Sequence, residues 1–251
     1  MDGLNLSHTS IQAGKVVEPF FTDTINHCKE DIVSLYVIGS AVTKDFHPKH
    51  SDINTLIIVK TIKFTFFDFI SLMGKRYGKK GVRAPLIMTP DYINRSLEVF
   101  PLEFLEMKLI HQLVYGEDIL SAINIEKADA RVQCERELKG KLQTLCHGYI
   151  RTMGDRIKLS ELLTGSLSGF FPVFRGILFL YGQEIPREKG DVLSALEKYR
   201  NKDSRVFKRL LDIRRSGVRP PLDELKELFR GLYLELDGLA REVDEFEAKR
   251  P

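Results

Sequence analysis

The sequence predicts an α/β domain over residues 1–122 followed by an all-α helical bundle over residues 126–251. Three observations carry that division. Apolar, β-branched runs of strand length, Ile32–Ile38 and residues 53–59, alternate with helical patterns in the N-terminal half. From Glu126 onward the strand signals stop, and apolar residues recur at helical spacing, as Leu138, Leu142, Leu145 and Tyr149 do. A polar stretch with Gly116, Glu117 and Asp118 precedes the change, which sets the boundary near residues 119–127.

Each element follows from local signals. Residues 14–30 read as a first helix, and Ile32–Ile38 as a strand buried on both faces that stops at Gly39-Ser40. Residues 41–51, polar and containing Pro48, suit a short helix and loop, and residues 53–59 form the second strand. Phe64–Tyr77 has the length and apolar content of a helix, closing in the basic, Gly-punctuated stretch 78–81. Residues 84–88 look like a short strand. Thr89-Pro90-Asp91 then supplies an N-cap, a proline at the first helical position and an early acid. That helix is expected to end before Pro101, and residues 102–114 are expected to be a further strand or strand pair. In the second half, helices are expected at 128–153, 155–165, 168–182, 190–200, 204–215 and 221–247, punctuated by Gly182, Pro186, Gly217 and Pro220-Pro221.

Composition narrows the class. A chain of 251 residues with 43% hydrophobic and 29% charged residues is globular, which excludes disordered, collagenous and disulfide-scaffold readings. Its net charge of +3 gives no strong global field for nucleic acid. Residues 1–125 carry 13 basic and 14 acidic groups and residues 126–251 carry 25 and 21, so only the second half is mildly basic. Cys28, Cys134 and Cys146 make an odd set without a CxxC pair, which fits a reducing cytosol better than a disulfide framework or zinc knuckle. The N-terminus lacks the basic and apolar regions of a signal peptide. The most apolar stretch, residues 170–181, is interrupted by Arg175 and falls short of the ~20 residues of a bilayer span. A cytoplasmic protein without a membrane partner is expected.

The chemistry concentrates in residues 32–59, IVSLYVIGSAVTKDFHPKHSDINTLIIV. Gly39-Ser40 ends one buried strand, and Ser51-Asp52-Ile53-Asn54 enters the next. A Gly-Ser turn lets backbone amides approach phosphate closely. Period-two spacing puts Asp52 and Asn54 on one strand face, where carboxylates could hold Mg²⁺ at a nucleotide's phosphates.

This layout resembles the nucleotidyltransferase superfamily of the polymerase-β type, and most of all the two-domain aminoglycoside adenylyltransferase-like bacterial proteins. The resemblance implies an α+β nucleotidyltransferase domain with a small mixed sheet, followed by the helical domain. It also implies Mg²⁺ (or Mn²⁺) and an NTP, with ATP the first choice, as substrate. A nucleoside monophosphate would pass to a hydroxyl on a small molecule or protein. Asp52 becomes the main metal ligand and Gly39, Ser40 and Ser51 the phosphate-binding residues. The chain departs from the pattern at the second acid, where Asn54 supplies an amide oxygen and no charge. Two alignments compete for the third acid. A strand over 102–109 would offer Glu103 or Glu106, either one also a candidate base for the acceptor hydroxyl; a strand over 82–88 would offer no acid. An active transferase and a catalytically degenerate nucleotide-binding or regulatory module therefore both stand.

In the second half, Phe174-Arg175-Gly176 and the segment 181–187 are similar to the C-terminal segment of those adenylyltransferases in which a basic residue after a proline reaches the phosphates. Arg187 is the matching position, with Lys189 beside it; Arg175, in an apolar context, is expected to make a buried or cleft-facing ion pair. Lys75, Arg76, Lys79, Lys80 and Arg83 form a basic cluster that suits a solvated helix end or the flank of an anionic substrate. Residues 198–215 hold eight basic groups against Asp203 and Asp212, a face open to RNA although nucleic acid is not the favoured partner. His47 and His50 precede Asp52 without a third ligand for zinc. The closely spaced Arg and His of HEPN ribonucleases are absent, Arg136 and His147 lying eleven residues apart.

Overall fold

The computed structural model describes residues 4–48 and 51–246. The chain forms two compact units, Met1–Glu98 with Glu103–Asn124, and Val99–Leu102 with Ile125–Pro251.

The first unit opens with α1 (Ile11–Cys28), whose Ser10 side chain accepts from the Ala13 amide at its start. β1 (Ile32–Ile38) follows and passes through a 3₁₀ turn, Gly39–Val42, into the loop that leads to β2 (Asn54–Val59). Next come α2 (Phe64–Tyr77), β3 (Leu86–Met88) and α3 (Pro90–Ser96), the last capped by Thr89 as expected. After α4 (Pro101–Leu109), β4 (His111–Gly116) and the short α5 (Ile119–Ala122) complete the unit. The strand order is β3-β2-β1-β4, with β1 antiparallel to both β2 and β4, and β2 parallel to β3. This is a small mixed sheet.

Alternation along the strands sorts the core. Leu35, Val37, Ile57 and Val59 pack with Val17, Phe20, Phe21, Phe66 and Ile70 of α1 and α2 on one face. Burying each such side chain contributes roughly 1.5–3 kcal/mol. Tyr36, on the other face, is fully buried; its hydroxyl donates to the Glu117 carbonyl at 2.9 Å and accepts from the Ile119 amide at 2.8 Å.

One expectation is corrected. Residues 102–109 are helical, and only His111–Gly116 is strand. Phe100-Pro101 puts proline at the helix opening, Glu103 follows in the first turn, and Leu102, Leu105 and Leu109 share one helical stripe. The apolar pair at 102 and 104 mimics strand alternation, but the start signals prevail.

The second unit is helical: α6 (Lys127–Arg151), α7 (Arg156–Ser166), a 3₁₀ turn (Leu167–Phe170), α8 (Phe171–Leu180), α9 (Lys189–Arg200), α10 (Arg205–Ser216) and α11 (Leu222–Asp244). α8 is the centre, with Phe170, Phe171 and Phe174 buried and Phe174 edge-on to Phe207 of α10 at 4.9 Å between centroids. Gly176 lets α8 lie close to α6, because a Cβ there would stand 2.6 Å from the Cys134 sulfur. The helical run Arg156–Leu180 is long and apolar enough to cross a membrane by length and composition, more than residues 170–181 alone suggested; 56% of its most apolar window is buried inside the protein, as in a bundle's core helix.

Candidate functional site

The residues singled out between 39 and 54 lie where β1 ends and β2 begins. The antiparallel register sets Ile38 opposite Asn54, which brings the Gly39-Ser40 turn beside the start of β2. Gly39 has φ +74°, a left-handed conformation that favours glycine, and a Cβ there would lie 3.8 Å from the Asn54 side-chain nitrogen. Its amide donates to the Ile110 carbonyl at 3.0 Å. That bond ties the turn to the segment between α4 and β4, and leaves the approach to an anion to Ser40. Ser51 serves its own loop: its amide donates to the His47 carbonyl at 2.8 Å, and its hydroxyl accepts from the His47 amide at 3.0 Å. His47 is exposed, and His50 lies outside the described residues.

Ile53, Ile57 and Val59 face the α1–α2 core, so Asn54 points to the opposite face and is exposed. A parallel bridge between Ile53 and Val82 carries the β2–β3 pairing back towards Asp52. The strand beside the motif is therefore the one entered through residues 82–85, the alignment without an acid. At this place Arg83 reaches across, its guanidinium 2.8 Å from the Asp52 carboxylate. Side-chain exposures of 67% and 46% leave both groups within reach of a solute.

Glu103 and Glu106 sit on α4, not on a strand, and the alignment that made either the third acid of a strand cluster falls with the strand. Glu103 is exposed and Glu106 half-buried. β4, which follows them, pairs with β1 on the side away from β2. Arg187 and Lys189 belong to the second unit. Arg187 is exposed, and its carbonyl, with that of Pro186, accepts from the buried Arg175 guanidinium. Arg175 thus holds the turn after α8. Lys189 opens α9 with its ammonium 5.5 Å from the centre of the Phe171 ring.

These residues do not fit a two-metal site. The only carboxylate of the Asp52–Asn54 pair is neutralised by Arg83, its neighbour is an amide, and residues 82–88 supply no acid. Among the described residues, no three or more His, Cys, Asp or Glu side chains converge as metal ligands.

Two features escaped the sequence reading. For Arg83, the sequence offers a place in a basic cluster and a position on the acid-free strand alignment; what it does not reveal is the ion pair with Asp52. Behind β1, Asp118 accepts from the Ser121 hydroxyl at 2.6 Å and faces His111 Nε2 at 3.4 Å, while His111 Nδ1 lies 2.8 Å from the Met107 carbonyl. Burial pushes the Asp118 carboxyl up, but the Ser121 hydroxyl and amide and the His111 ring bring it below its ordinary value.

The small mixed sheet with its helices and the separate helical unit are the features to compare with known folds. Among solved structures, the chain is similar to the spectinomycin adenyltransferase AAD(9) from Enterococcus faecialis, crystallised with ATP and spectinomycin. The TM-score is 0.50 at 13% identity, over 93% of this chain and 97% of that one. No protein-family model and no curated protein sequence matches the chain. At this identity the likeness shows the fold alone.

Proposed function

We propose that this protein is a nucleotide-binding module of nucleotidyltransferase fold in which direct ionic recognition of phosphate has replaced metal-dependent transfer. The observation that carries the reading is the Asp52–Arg83 ion pair, 2.8 Å across the place where a transferase of this fold needs free carboxylates. A guanidinium matches two phosphate oxygens at once and is never deprotonated, so it supplies positive charge without a cation. Asp52 holds that guanidinium until a phosphate competes for it. A nucleoside triphosphate would displace the carboxylate, with the Gly39-Ser40 turn beside the phosphates and ATP the first candidate, since the similar AAD(9) structure holds ATP. The three free cysteines suit a reducing site of action such as the cytoplasm.

A second reading keeps an enzyme: Mg²⁺- or Mn²⁺-dependent transfer of a nucleoside monophosphate to a hydroxyl on a small-molecule or protein acceptor. The retention of Asp52 beside the Gly39 turn favours it.

Thermal unfolding with ATP, GTP, CTP and UTP, each with EDTA or Mg²⁺, separates the two. A nucleotide at about 100 times its Kd should stabilise the protein by ~2.7 kcal/mol. On the proposed reading the shift persists in EDTA, Arg83→Ala weakens binding about tenfold, and Asp52→Asn strengthens it by releasing Arg83. A shift that requires the metal and disappears in Asp52→Asn overturns the reading in favour of the enzyme.

A further inference from the structure

We propose that the free edge of β3, with the groove between it and α2, is a binding site for an extended, acidic segment of another protein, which joins the sheet as a fifth strand. β3 is a terminal strand of the sheet, hydrogen-bonded to β2 on one side only. Among the described residues, the backbone of residues 84–88 makes no hydrogen bond outside the β2–β3 ladder. Amide and carbonyl groups on the outer side of such a strand are a template for another chain.

Side chains beside this edge supply what the backbone cannot. A cleft of about 650 Å³ runs between α2 and the β3 segment, lined by Phe67, Ile70, Tyr77, Val82, Pro85 and Ile87. That volume lies in the range of real binding sites, and its walls are mostly apolar. At its rim, Phe67 is 39% and Leu86 43% exposed, large apolar groups left in water. An added strand presents alternate side chains to one face, so every second residue of the guest would enter the cleft. Pro85 has no amide hydrogen, so it cannot donate to a guest strand, and donation falls to the residues of β3 itself.

Charge identifies the guest. Residues 69–90 contain Lys75, Arg76, Lys79, Lys80 and Arg83 and no acid at all. Arg76 is paired with Asp23 and Arg83 with Asp52, and the Lys80 ammonium lies 5.4 Å over the Tyr77 ring. Among the described residues, no ion pair holds Lys75 or Lys79. Two copies of this chain meeting edge to edge would bring like charges together, whereas a segment alternating apolar residues with Glu or Asp is complementary in both respects.

The test is fluorescence anisotropy of the full chain, free of nucleotide, with a labelled eight-residue peptide alternating valine with glutamate and threonine. Saturable binding is expected. Methylating the peptide's alternate backbone nitrogens on the edge-facing side should weaken it at least tenfold. So should Phe67→Asp, at a position exposed enough to leave the fold intact. Lys79→Glu with Lys80→Glu should reverse the preference towards a peptide carrying lysine in place of glutamate. Amide resonances of Leu86, Ile87 and Met88 should shift on binding. The proposal is overturned if the peptide does not bind, or if the methylated peptide binds as well as the parent. Indifference to the charge reversal also overturns it. So does sedimentation showing a dimer that Phe67→Asp dissolves, which would give the edge to a second copy. Omitting nucleotide keeps these outcomes separate from any failure at Asp52.

Discussion

Two basic clusters in this chain look alike in sequence and behave differently in the structure. In residues 198–215 most of the charges are tied into the helical unit. Arg200, only 4% exposed, meets Glu235 and Glu242; Lys202 shares Glu235; Arg205, Lys208 and Arg209 pair with Asp203, Glu197 and Glu224. These partners come from α9, α11 and the turn after α9, so the cluster helps to hold these helices to one another. In residues 75–83, which contribute Tyr77, Gly78, Val82 and Arg83 to the cleft, only Arg76 and Arg83 have carboxylate partners among the described residues. A run of basic residues is thus structural where acids converge on it, and available for recognition where they do not.

The comparison can be broken most severely at Arg200. Replacing it by alanine leaves two carboxylates facing each other in a half-buried setting, and a loss of about 3 kcal/mol is expected in urea unfolding. Arg200→Lys should recover only part, because the fork that serves both acids is gone.

Next in size is a pair of glycines in the first unit. Gly116 has φ +88°, and a Cβ there would stand 2.0 Å from the Val33 carbonyl oxygen, so Gly116→Ala should cost more than about 2 kcal/mol. Gly81, with φ +93° and nothing within 4 Å, should cost only the conformational term of about 1 kcal/mol. Equal losses at the two sites would show that the β4 end is not clamped onto β1 as described.

A smaller effect is expected at Asp118. Its carboxyl is held below its unfolded value, so the stability it contributes is present above the ordinary carboxylate range and is lost as pH falls through the lowered folded value. Asp118→Asn should therefore cost about 0.5–1 kcal/mol at neutral pH, the group being partly screened, and should flatten the fall in stability below about pH 4. An unchanged acid limb would mean that other carboxylates carry it, Glu197 among them, whose bond to Lys208 also lowers it. The smallest change is Lys79→Glu, expected to leave stability within about 0.5 kcal/mol. A larger loss would place the α2–β3 cluster with the structural one.

Particular residues show how far sequence reading reaches. Ile32–Ile38 and Phe64–Tyr77 are legible to the residue, because a continuous β-branched run and a long apolar pattern with a glycine stop are local signals. Thr89-Pro90 is legible for the same reason. Residues 102–109 were not, since their apolar positions satisfy both periods and only Pro101 decides between them. The Gly39-Ser40 turn and Asp52 are picked out by spacing alone, and the register Ile38 to Asn54 puts the segments that carry them side by side.

What the sequence by itself determined is the inventory: strands and helices in the first half, helices alone in the second, and a Gly-Ser turn with one acid and one amide where nucleotidyltransferases carry two acids. Only the tertiary structure decided that β3 lies beside β2, that Arg83 there reaches Asp52, and that β3 ends the sheet with no further strand paired to it among the described residues. Strand order and ion pairs between distant segments depend on which buried faces pack together across the whole sheet. No local propensity encodes that choice.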